Sequence, residues 1–504
     1  MHVYMITPIL ILTILFSLSG LPSGPMLTVG SIFSIQTSPQ YVTLLPKVPG
    51  STHSPLLVYP TNTTIWVAGV STPPNPTGSE IRQFFADGTS RGVLNLTNLI
   101  VSSIVADPTN PTGKLWVTEN STLSFYDSTQ AKETKAITFP GQSLQYLTND
   151  TQGRIWISMA SSSGTSNIAV YDPVSHTNQT YAVPTSGAII QGLTVAPGNM
   201  LWFAEAGSKK IGRLVPGVLP VFSEFSPPAS ISLAAPVQVA VDASGNVWFT
   251  DHGSNQFGVF NPQTSTWKVF PIGYCLNNCV SGLPNAIFVD ARNTIWFSEH
   301  VAGRIAHYDP STGLLTEYSV PGSNVPYVWW AMPGPKNLVW FVAYALGQIG
   351  YVNASIPVAT SLDSAASELT VQRGSFQRVP ITVSSTSQEK FSINSSEVTL
   401  DASGFYPPQI YSSSLSDLVS EGNPYSTSVM VFAAWNATLG QRYVALTAFN
   451  SKVSLSVLVR VNVTDSSISY VAVGSVSIII LGSLIIFVRR PRRTNTKSVE
   501  RVRK

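Results

Sequence analysis

The chain has 504 residues, of which 11% are charged and 44% are hydrophobic, and its formal net charge is +3. Eight Lys or Arg residues and one Glu lie in the final stretch, 489–504, so the remainder of the chain is net acidic. A basic excess confined to a tail argues against nucleic-acid binding, which needs a basic surface on a folded domain. Abundant Gly (35), Pro (36) and Trp (11) favour short strands joined by turns over long helices.

Residues 1–24 are predicted to be a signal peptide. An uncharged apolar run from Met5 to Leu18 is followed by the small residues Ser19 and Gly20. The run is shorter than the about 20 apolar residues that a membrane span needs. No Lys or Arg precedes the run, so an uncleaved membrane anchor is the alternative interpretation.

Sequons of the type Asn-x-Ser/Thr are frequent, and they accord with an extracellular body. Because the chain is rich in Asn, Ser and Thr, some of them are expected by chance. All of them lie between the predicted signal peptide and the predicted membrane span. The candidate N-glycosylation sites are Asn62, Asn95, Asn120, Asn149, Asn178, Asn353, Asn394, Asn436 and Asn462.

A repeat centred on tryptophan runs through residues 25–356. Segments such as TIWVAG, RIWISM and NVWFTD recur at spacings of 40 to 50 residues. Each unit reads as four strands, for example PVQVAVDASG, NVWFTD, QFGVFNP and STWKVFPI within residues 236–272. A period of this size with several strands per unit predicts an all-β fold, a seven-bladed β-propeller. The repeated tryptophans are Trp66, Trp116, Trp156, Trp202, Trp248, Trp296 and Trp340.

The ends of the repeat predict how the ring closes. The last unit lacks a fourth strand, and QYVTLLPKVPG at residues 40–50 resembles one. We expect this N-terminal strand to complete the last blade, because pairing the two ends removes an exposed sheet edge. Seven equivalent positions favour a structural role for the repeated tryptophans over ligand stacking. Trp329 and Trp330 break the pattern, and one of them is predicted to face the channel, because neighbouring strand residues point oppositely.

Cys275 and Cys279 are the only cysteines in the chain. Outside the cell they could close a small disulfide loop. A metal-binding pair is the alternative, for which the sequence offers neither another Cys nor a His nearby.

Residues 357–466 have a different pattern of apolar and polar residues. Runs such as SELTVQRGSFQRVPITVSS and STSVMVFAAW alternate apolar and polar residues with a period of two. Roughly a hundred residues of such strands predict an immunoglobulin-like β-sandwich, although no cysteine pair supports it. We expect this domain to act as a spacer between the propeller and the membrane.

Residues 467–488 are predicted to form a C-terminal transmembrane helix. They include ISYVAVGSVSIIILGSLIIFV, which is uncharged and long enough to cross a bilayer. RRPRR follows at once, so the positive-inside rule places the tail 489–504 in the cytoplasm and the body outside. The basic tail can also contact anionic lipid.

The blade motif resembles that of the virginiamycin B lyase (streptogramin lyase) family over about residues 40–355. LWFAEAGSKKIGRL, VWFTDHGSNQFGVF and IWFSEHVAGRIAHY match its W-F-[TA]-E repeat, which is followed by a turn and I-G-R-I. The resemblance implies a seven-bladed propeller with Mg²⁺ on one face, held among carboxylates and histidines. It also implies a histidine base and the opening of a cyclic depsipeptide at its ester bond by elimination. The repeat occurs in propellers that have no lyase activity, so it indicates fold more strongly than function.

Acidic residues at the ends of the second strands supply the metal candidates. The end of strand two and the start of strand one meet on one face, where the acids are expected to form a polar, partly acidic mouth. The start of strand one adds Gln191, Gln238, Asn285 and Tyr327 to that face, and the acids are Glu119, Glu205, Asp251 and Glu299. Mg²⁺ prefers oxygen ligands, so the candidate metal ligands are Glu299, Asp251 and Glu205.

The resemblance gives His300, His252 and Glu317 as candidate catalytic residues. In the family pattern the functional Glu and His are separated by one residue, whereas His300 and His252 directly follow an acid. Adjacent strand residues point to opposite faces, so a turn-stabilising role is the alternative for both histidines. Glu317 is expected on the outermost strand of its blade, and His307 is expected to be structural.

Three functions remain open at this stage. The first is a cell-surface, membrane-anchored propeller that binds an extracellular ligand or envelope partner through one face. The second is a Mg²⁺-dependent lyase that acts on a cyclic depsipeptide ester, and the third is a structural envelope component. The sequence contains no G-x-S-x-G, H-E-x-x-H, phosphate-loop or EF-hand motif that would indicate other chemistry.

Overall fold

Among the residues that the computed structural model describes, strands account for nearly all of the regular structure. Two short 3₁₀ turns, Pro335–Asn337 and Tyr344–Leu346, interrupt the strands. The residues that the structure describes are 40–47, 53–71, 78–85, 87–97, 99–130, 132–161, 163–272, 282–322, 325–387, 389–393, 397–400, 415–419 and 423–465. All of them fall within one compact unit, Ser38–Lys504.

Groups of four antiparallel strands follow one another along the described part of the chain, and we call each of them a blade. Six of the seven blades are separate four-stranded sheets, and the sixth in chain order is part of a nine-stranded sheet. A short strand, β1 Val42–Leu44, precedes the first blade in the chain. The strands of the first four blades are β2 His53–Pro60, β3 Thr64–Ser71, β4 Gly78–Phe85, β5 Ser90–Thr97, β6 Val101–Ala106, β7 Lys114–Glu119, β8 Thr122–Asp127, β9 Lys132–Thr138, β10 Gln142–Asn149, β11 Ile155–Ser161, β12 Ser166–Asp172, β13 Thr177–Ala182, β14 Ile190–Ala196, β15 Met200–Glu205, β16 Lys210–Val215 and β17 Val221–Phe225. Those of the remaining blades are β18 Pro236–Val241, β19 Val247–Asp251, β20 Gln256–Asn261, β21 Thr266–Pro271, β22 Pro284–Val289, β23 Ile295–Glu299, β24 Arg304–Asp309, β25 Leu314–Ser319, β26 Val328–Pro333, β27 Leu338–Ala343 and β28 Gln348–Asn353.

The blades are arranged as a closed ring. The first strand of each blade contacts the first strand of the next, and β26 of the seventh blade contacts β2 of the first. The fourth strand of the seventh blade is β1, which runs antiparallel to β28 with Val42 opposite Val352. The N-terminal segment therefore supplies the strand that the last sequence repeat lacks.

The repeated tryptophans are structural. All seven lie on the second strand of a blade with at most 4% of their surface exposed. The indole N–H of Trp156 and that of Trp248 each donate to an aspartate six residues earlier, Asp150 and Asp242, with N···O distances of 2.9 Å. The aspartate also accepts backbone N–H groups of its own turn. Each indole–aspartate hydrogen bond therefore connects a buried ring to the turn between strands one and two.

Nine further strands form two sheets that pack face to face. One sheet has the order β29-β31-β35-β33, and the other contains β37, β36, β32 and β34, with β30 pairing to β37. Buried side chains of both sheets belong to one hydrophobic cluster, which is the core of a β-sandwich. The strands are β29 Thr360–Ser364, β30 Glu368–Gln372, β31 Ser375–Ser385, β32 Glu389–Ile393, β33 Glu397–Leu400, β34 Leu415–Val419, β35 Tyr425–Ala433, β36 Gly440–Phe449 and β37 Val453–Thr464.

The sandwich is joined to the sixth blade by a continuous sheet. β37 runs antiparallel to β25, from Leu314 opposite Val457 to Tyr318 opposite Val453. The combined sheet has the order β22-β23-β24-β25-β37-β36-β32-β34. The sequence predicts a spacer between the propeller and the membrane, and in the structure the sandwich covers the outer edge of the sixth blade.

Several predicted features lie outside the described residues. They are the signal peptide at 1–24, the pair Cys275 and Cys279, the transmembrane segment at 467–488 and the tail at 489–504. Within the described ranges, no helix has the length and apolar character needed to cross a membrane.

Candidate functional site

Two histidines mark one face of the ring. β19 ends at Asp251 and β23 ends at Glu299, so His252 and His300 are the first residues beyond each strand. The backbone N–H of His252 donates to the carbonyl of Ala235, and that of His300 donates to the carbonyl of Leu283 (N···O 2.9 and 3.1 Å). Each histidine is therefore fixed where its second strand meets the entrance to a first strand.

The two histidines come together with aromatic residues of the seventh blade. The rings of His252 and His300 stack with centroids 5.9 Å apart and an interplanar angle of 20°. The ring of His300 also lies 5.5 Å from that of Tyr327 and 4.5 Å from that of Trp329. We call His252, His300, Tyr327 and Trp329 the histidine cluster. Of the candidate catalytic residues, the structure brings His252 and His300 together and separates both from Glu317.

Burial keeps the cluster uncharged at neutral pH. Desolvation, aided by the nearby imidazole of His252, lowers the pKa of His300 to about 4. Desolvation also lowers the pKa of His252, although the carbonyl of Pro284, 3.2 Å from its Nδ1, opposes this. The Nδ1 atom of His300 is buried and has no hydrogen-bond partner among the described residues. The described part of the protein therefore leaves this buried ring nitrogen unsatisfied.

Neighbouring strands hold the cluster in place. The side-chain amide of Asn285 donates to the carbonyl of Trp329 (N···O 2.7 Å), and Thr250 donates to the carbonyl of Asn285 (O···O 2.6 Å). The N–H of Val328 donates to the carbonyl of His300 (N···O 3.0 Å). Three successive blades thus contribute to one fixed arrangement.

Tyr327 projects from the edge of the cluster. Its side chain is 40% exposed, and its φ of 49° lies in the left-handed region. Ile189 and Leu283 adopt the same conformation directly before β14 and β22. The turn is therefore a repeated feature of how the chain enters a blade, and at Tyr327 it presents an aromatic ring to solvent.

Trp329 and Trp330 lie at a register irregularity of β26, between Val328 and Ala331, and Trp330 reaches a different blade from Trp329. The ring of Trp330 lies 5.7 Å from that of Tyr146 on β10. β26 and β10 are first strands of the seventh and third blades, which are not adjacent in the ring. Their contact therefore crosses the channel, and Trp330 is the tryptophan of the pair that faces it.

The acid at the end of β23 points into its own blade. The guanidinium of Arg304 donates to Oε2 of Glu299 at 2.8 Å from Nε and 2.7 Å from Nη2. Nη2 of Arg304 also lies 3.3 Å from Oε1 of Glu317. At most 2% of each side chain is exposed. Burial raises the pKa of Glu299 well above its usual value, although Arg304 opposes this.

Glu299 and Glu317 are thus members of a buried ion network, which corrects two sequence interpretations. Glu299 does not line an open mouth, and Glu317 does not face the histidine cluster. Glu317 lies on the fourth strand of its blade as expected, but β37 covers that strand, so it is not outermost.

The remaining metal candidates are also turned inward. The carboxylate of Asp251 accepts hydrogen bonds from the backbone N–H groups of Ala234 and Ala235, from Gln256 Nε2 and from Ser254 Oγ. These donors occupy its oxygens, so Asp251 stabilises the turn that follows β19.

Glu205 is fully buried at the equivalent place in the fourth blade and accepts a hydrogen bond from Ser208. Burial raises the pKa of Glu205. Glu119, in the second blade, is 1% exposed and accepts a hydrogen bond from Ser124. The expected acidic mouth is therefore wrong: the acids lie within the blades, and the histidines and aromatic rings line the face.

Mg²⁺ does not fit the acids predicted to hold it. The ion takes several oxygen ligands in a near-octahedral arrangement. Glu299 is neutralised by Arg304, and Asp251 is saturated by N–H and O–H donors. Among the described residues, no group of three or more His, Cys, Asp or Glu side chains could hold a metal ion.

His307 is structural. Its Nε2 lies 2.8 Å from the hydroxyl of Thr294, and its ring packs on Trp296 at 4.3 Å. Burial lowers its pKa to about 4. Sequence reasoning placed His307 on a strand, and its contacts keep it inside the blade.

The sequon asparagines differ in exposure. Asn149, Asn353 and Asn462 are partly buried, and Asn394 lies outside the described residues. Asn149 also donates to the carbonyl of Ala106 (N···O 3.3 Å). Those that are exposed to solvent are Asn62, Asn95, Asn120, Asn178 and Asn436.

Comparison with known proteins identifies relatives of the propeller. The sequence profile of the virginiamycin B lyase family matches residues 104–368, which is more than half of the chain. No curated protein matches the chain.

Solved structures of the same type are similar in fold. A selenomethionine form of the virginiamycin B lyase from Staphylococcus aureus has 18% identity and a TM-score of 0.51, covering 62% of this chain and 98% of its own. A catalytically inactive histidine-to-alanine variant of that enzyme with quinupristin has the same identity, coverage and TM-score. A streptogramin B lyase has 20% identity and a TM-score of 0.50, covering 62% of this chain and 97% of its own. At these identities the likeness is one of fold.

Proposed function

The chain belongs to the virginiamycin B lyase family, and on that premise we propose that it binds an extracellular ligand through the histidine cluster. The supporting observation is the meeting of His252, His300, Tyr327 and Trp329 on one face, with an unpartnered Nδ1 of His300 among them. Stacked imidazole and aromatic rings offer flat apolar surface, and the ring of Tyr327, which is 40% exposed, is the part of it that a ligand can reach.

The chemistry of the cluster suits a ligand with a flat, uncharged group. Both histidines are neutral at pH 7, because burial depresses the pKa of each. The acids that could attract a cation are turned into the blades. Quinupristin accompanies the inactive variant of the related lyase, and it is therefore the probe for this surface.

In the proposed organisation, the ligand-binding domain is a seven-bladed propeller that faces away from the cell. An immunoglobulin-like sandwich and a single span at 467–488 attach it to the membrane, and the basic tail lies in the cytoplasm. The uncharged run and the RRPRR sequence that follows support this topology. The exposed sequons of the body accord with it.

The binding proposal is tested with the full chain reconstituted in lipid nanodiscs. Quinupristin is titrated at pH 7.4, and heat release and tryptophan fluorescence are recorded. His300→Ala is expected to weaken binding at least about tenfold, because it removes the central ring of the cluster. His176→Ala is the matched control, since His176 is exposed on the turn between β12 and β13. Absence of binding to the unaltered chain, or equal binding by both variants, would contradict the proposal.

A lyase activity is the second candidate, with the imidazole of His300 as its base, although the lowered pKa makes this ring a weaker base than an ordinary histidine. With a pKa of about 4, the imidazole is unprotonated at neutral pH and can accept a proton from carbon. In an elimination the base takes that proton, the ester C–O bond breaks and a C=C bond forms. No step is assigned to Mg²⁺, because Glu299, Asp251 and Glu205 do not fit the ion.

Mass spectrometry separates this candidate from simple binding. Elimination yields a linear product with the mass of the ring, whereas hydrolysis adds one water. If His300 is the base, the rate should rise with pH through about 4 and be flat near neutrality, because the neutral ring is the active form. Quinupristin recovered unchanged after long incubation, with and without added Mg²⁺, would exclude the lyase and leave binding as the function.

A further inference from the structure

Trp435 differs from the other tryptophans in its exposure. Ten of the eleven tryptophans are buried or half-buried, whereas 65% of the surface of Trp435 is exposed. Its ring lies on the backbone of Gly374, where an added Cβ atom would come within 2.4 Å of the indole. Gly374 has a φ of 73°, in the left-handed region that favours glycine. The sandwich therefore holds a large ring at its surface, with most of the area of that ring open to solvent.

The turn that carries Trp435 is attached to the end of β37. This turn joins β35 to β36, and its Ala437 carbonyl accepts a hydrogen bond from Nε of Arg373 (N···O 2.7 Å). The backbone N–H of Arg373 donates to the carbonyl of Thr464, the last residue of β37 (N···O 3.0 Å). Nη1 of Arg373 also lies 3.7 Å from Oδ1 of Asp465. One arginine therefore connects the turn to the residue at which the described structure ends.

Asp465 lies three residues before the apolar run of the predicted transmembrane helix. That run begins at Ile468. Because an extended chain covers at most about 3.6 Å per residue, Ile468 lies within about 11 Å of Asp465. The headgroup layer on each side of a bilayer is about 5–7 Å thick. If 467–488 spans the membrane, Asp465 and the turn of Trp435 therefore lie at or beside the lipid headgroups.

Other apolar side chains are exposed at the same end of the sandwich. Leu439, at the end of the same turn, is 43% exposed, and Phe376, two residues after Gly374, is 51% exposed. The guanidinium of Arg378 lies 5.9 Å from the ring centre of Phe376, and within the described part of the chain it forms no ion pair. We call Trp435, Leu439, Phe376 and Arg378 the aromatic patch. Such side chains suit a membrane interface, where their apolar parts meet acyl chains and their polar ends meet headgroups.

We propose that the aromatic patch lies in the headgroup region of the membrane that holds the chain. This inference rests on the membrane attachment proposed above and adds a second contact to it. A single short link would let the body turn about Asp465, whereas contact between the ring of Trp435 and lipid fixes the tilt of the sandwich. Asn436 is then expected to stay unmodified although it begins a sequon, because a glycan there would separate the turn from the lipid.

The test uses the full chain reconstituted in phosphatidylcholine vesicles, which are washed with sodium carbonate to remove chains that are not embedded. Benzoylphenylalanine, which forms covalent bonds to nearby C–H groups under ultraviolet light, replaces Trp435 in one variant and Leu439 in another. Both variants are expected to yield lipid adducts, which mass spectrometry detects. Two positions are used so that the result does not depend on one substitution, and the melting temperature of each variant reports whether it is folded.

Val174→benzoylphenylalanine is the matched control. Val174 is 86% exposed on the turn between β12 and β13 of the third blade, which is not adjacent to the sixth blade. This variant should give at least about tenfold less lipid adduct than either position of the patch, because exposure alone does not bring a side chain to the lipid.

The possible failures are distinguishable. Loss of the chain in the carbonate wash would overturn the membrane attachment and this inference together. A retained chain that forms no lipid adduct at positions 435 and 439, or forms as much at position 174, would overturn the inference alone. A glycan on Asn436 of the chain made in glycosylating cells would do the same.

Discussion

The fourth and sixth blades carry the same three charged positions in different surroundings. Both have an acid at the end of strand two and a cation five residues later on strand three, Glu205 and Lys210 in one and Glu299 and Arg304 in the other. A second acid follows on strand four, Glu224 opposite Gly212 and Glu317 opposite Ala306.

Solvent access distinguishes the two networks. In the fourth blade, Lys210 lies 2.9 Å from Glu224 and is 26% exposed. Hydrogen bonds from Thr185 and Lys210 outweigh the effect of burial and hold the pKa of Glu224 below its usual value. In the sixth blade β37 covers the outer strand, and Arg304 is only 2% exposed. The ion pair of the fourth blade is therefore peripheral and that of the sixth is interior, so loss of the sixth-blade pair should be far more damaging.

The largest expected effect follows from uncovering the sixth blade. A chain that ends at residue 356 lacks β37, which leaves the edge of β25 and the apolar surface around Phe270 exposed. We expect it to aggregate, because an unpaired strand edge beside apolar surface recruits other chains. Light scattering and size-exclusion chromatography measure this. A chain that ends at residue 465 keeps β37 and is the control. A monomeric, fully folded fragment 1–356 would show that the sandwich is not needed by the propeller.

The next largest effect on stability is expected for Arg304→Ala. It leaves Glu299 and Glu317 buried without their cation, and we expect a loss of about 3–5 kcal/mol in the free energy of unfolding. Urea denaturation of the full chain at pH 7 measures it. Combining Arg304→Met with Glu299→Gln and Glu317→Gln should recover much of the loss. A cost below about 1 kcal/mol for Arg304→Ala would mean that water reaches the network.

The second blade sharpens the comparison, because it has an acid at this position and a serine in place of the cation. Burial, with the nearby Glu133, raises the pKa of Glu119 from 4.5 to about 7. The native state therefore holds a proton that the unfolded state releases, and stability falls as pH rises from 4.5 to about 7. Glu119→Gln should remove this slope.

At pH 8, Glu119→Gln should be more stable than the unaltered chain by on the order of 1–3 kcal/mol, with no gain near pH 4. Urea unfolding at both pH values measures this. Asp172→Asn gives a control of opposite sign, because hydrogen bonds from Val174 and Ser175 lower the pKa of Asp172. A gain for Glu119→Gln that is equal at both pH values would point to a packing effect.

Lys210→Ala should have the smallest effect. The cation is partly exposed, and Glu224 keeps its hydrogen bonds from Thr185. We expect a loss below about 1 kcal/mol that shrinks further in salt. Thermal unfolding at low and high NaCl measures it. A loss as large as that of Arg304→Ala would remove the distinction between the two blades.

The repeat could be predicted from sequence because each unit reports its structure locally. Apolar runs around Trp156 and Trp248 predict the second strands. The aspartates that accept the indole hydrogen bonds, Asp150 and Asp242, lie six residues earlier in the sequence. The incomplete last unit indicated the role of β1. Pairing of β25 with β37 could not be predicted in this way, because backbone hydrogen bonds at a sheet edge leave no side-chain signature.

The site was predicted only in part. Period two shows that Glu299 and His300 point in opposite directions, but it does not show which of them faces the mouth. The opposite charge of Arg304, five residues after Glu299 and across a short hairpin, is the sequence signal that Glu299 turns inward. The departure of Trp329 and Trp330 from the repeat was the signal for the aromatic side of the cluster.

The shared strand β37 also determines how mechanical load would pass through the molecule. A pull on the C-terminal end of β37 acts along the strand, so its hydrogen bonds to β25 are loaded in shear and must break together. β1 is paired to β28 through only three residues, so the same pull applied to β1 acts on fewer hydrogen bonds. Single-molecule extension from residue 465 should therefore show a high rupture force before the propeller yields, and extension from residue 40 a low one.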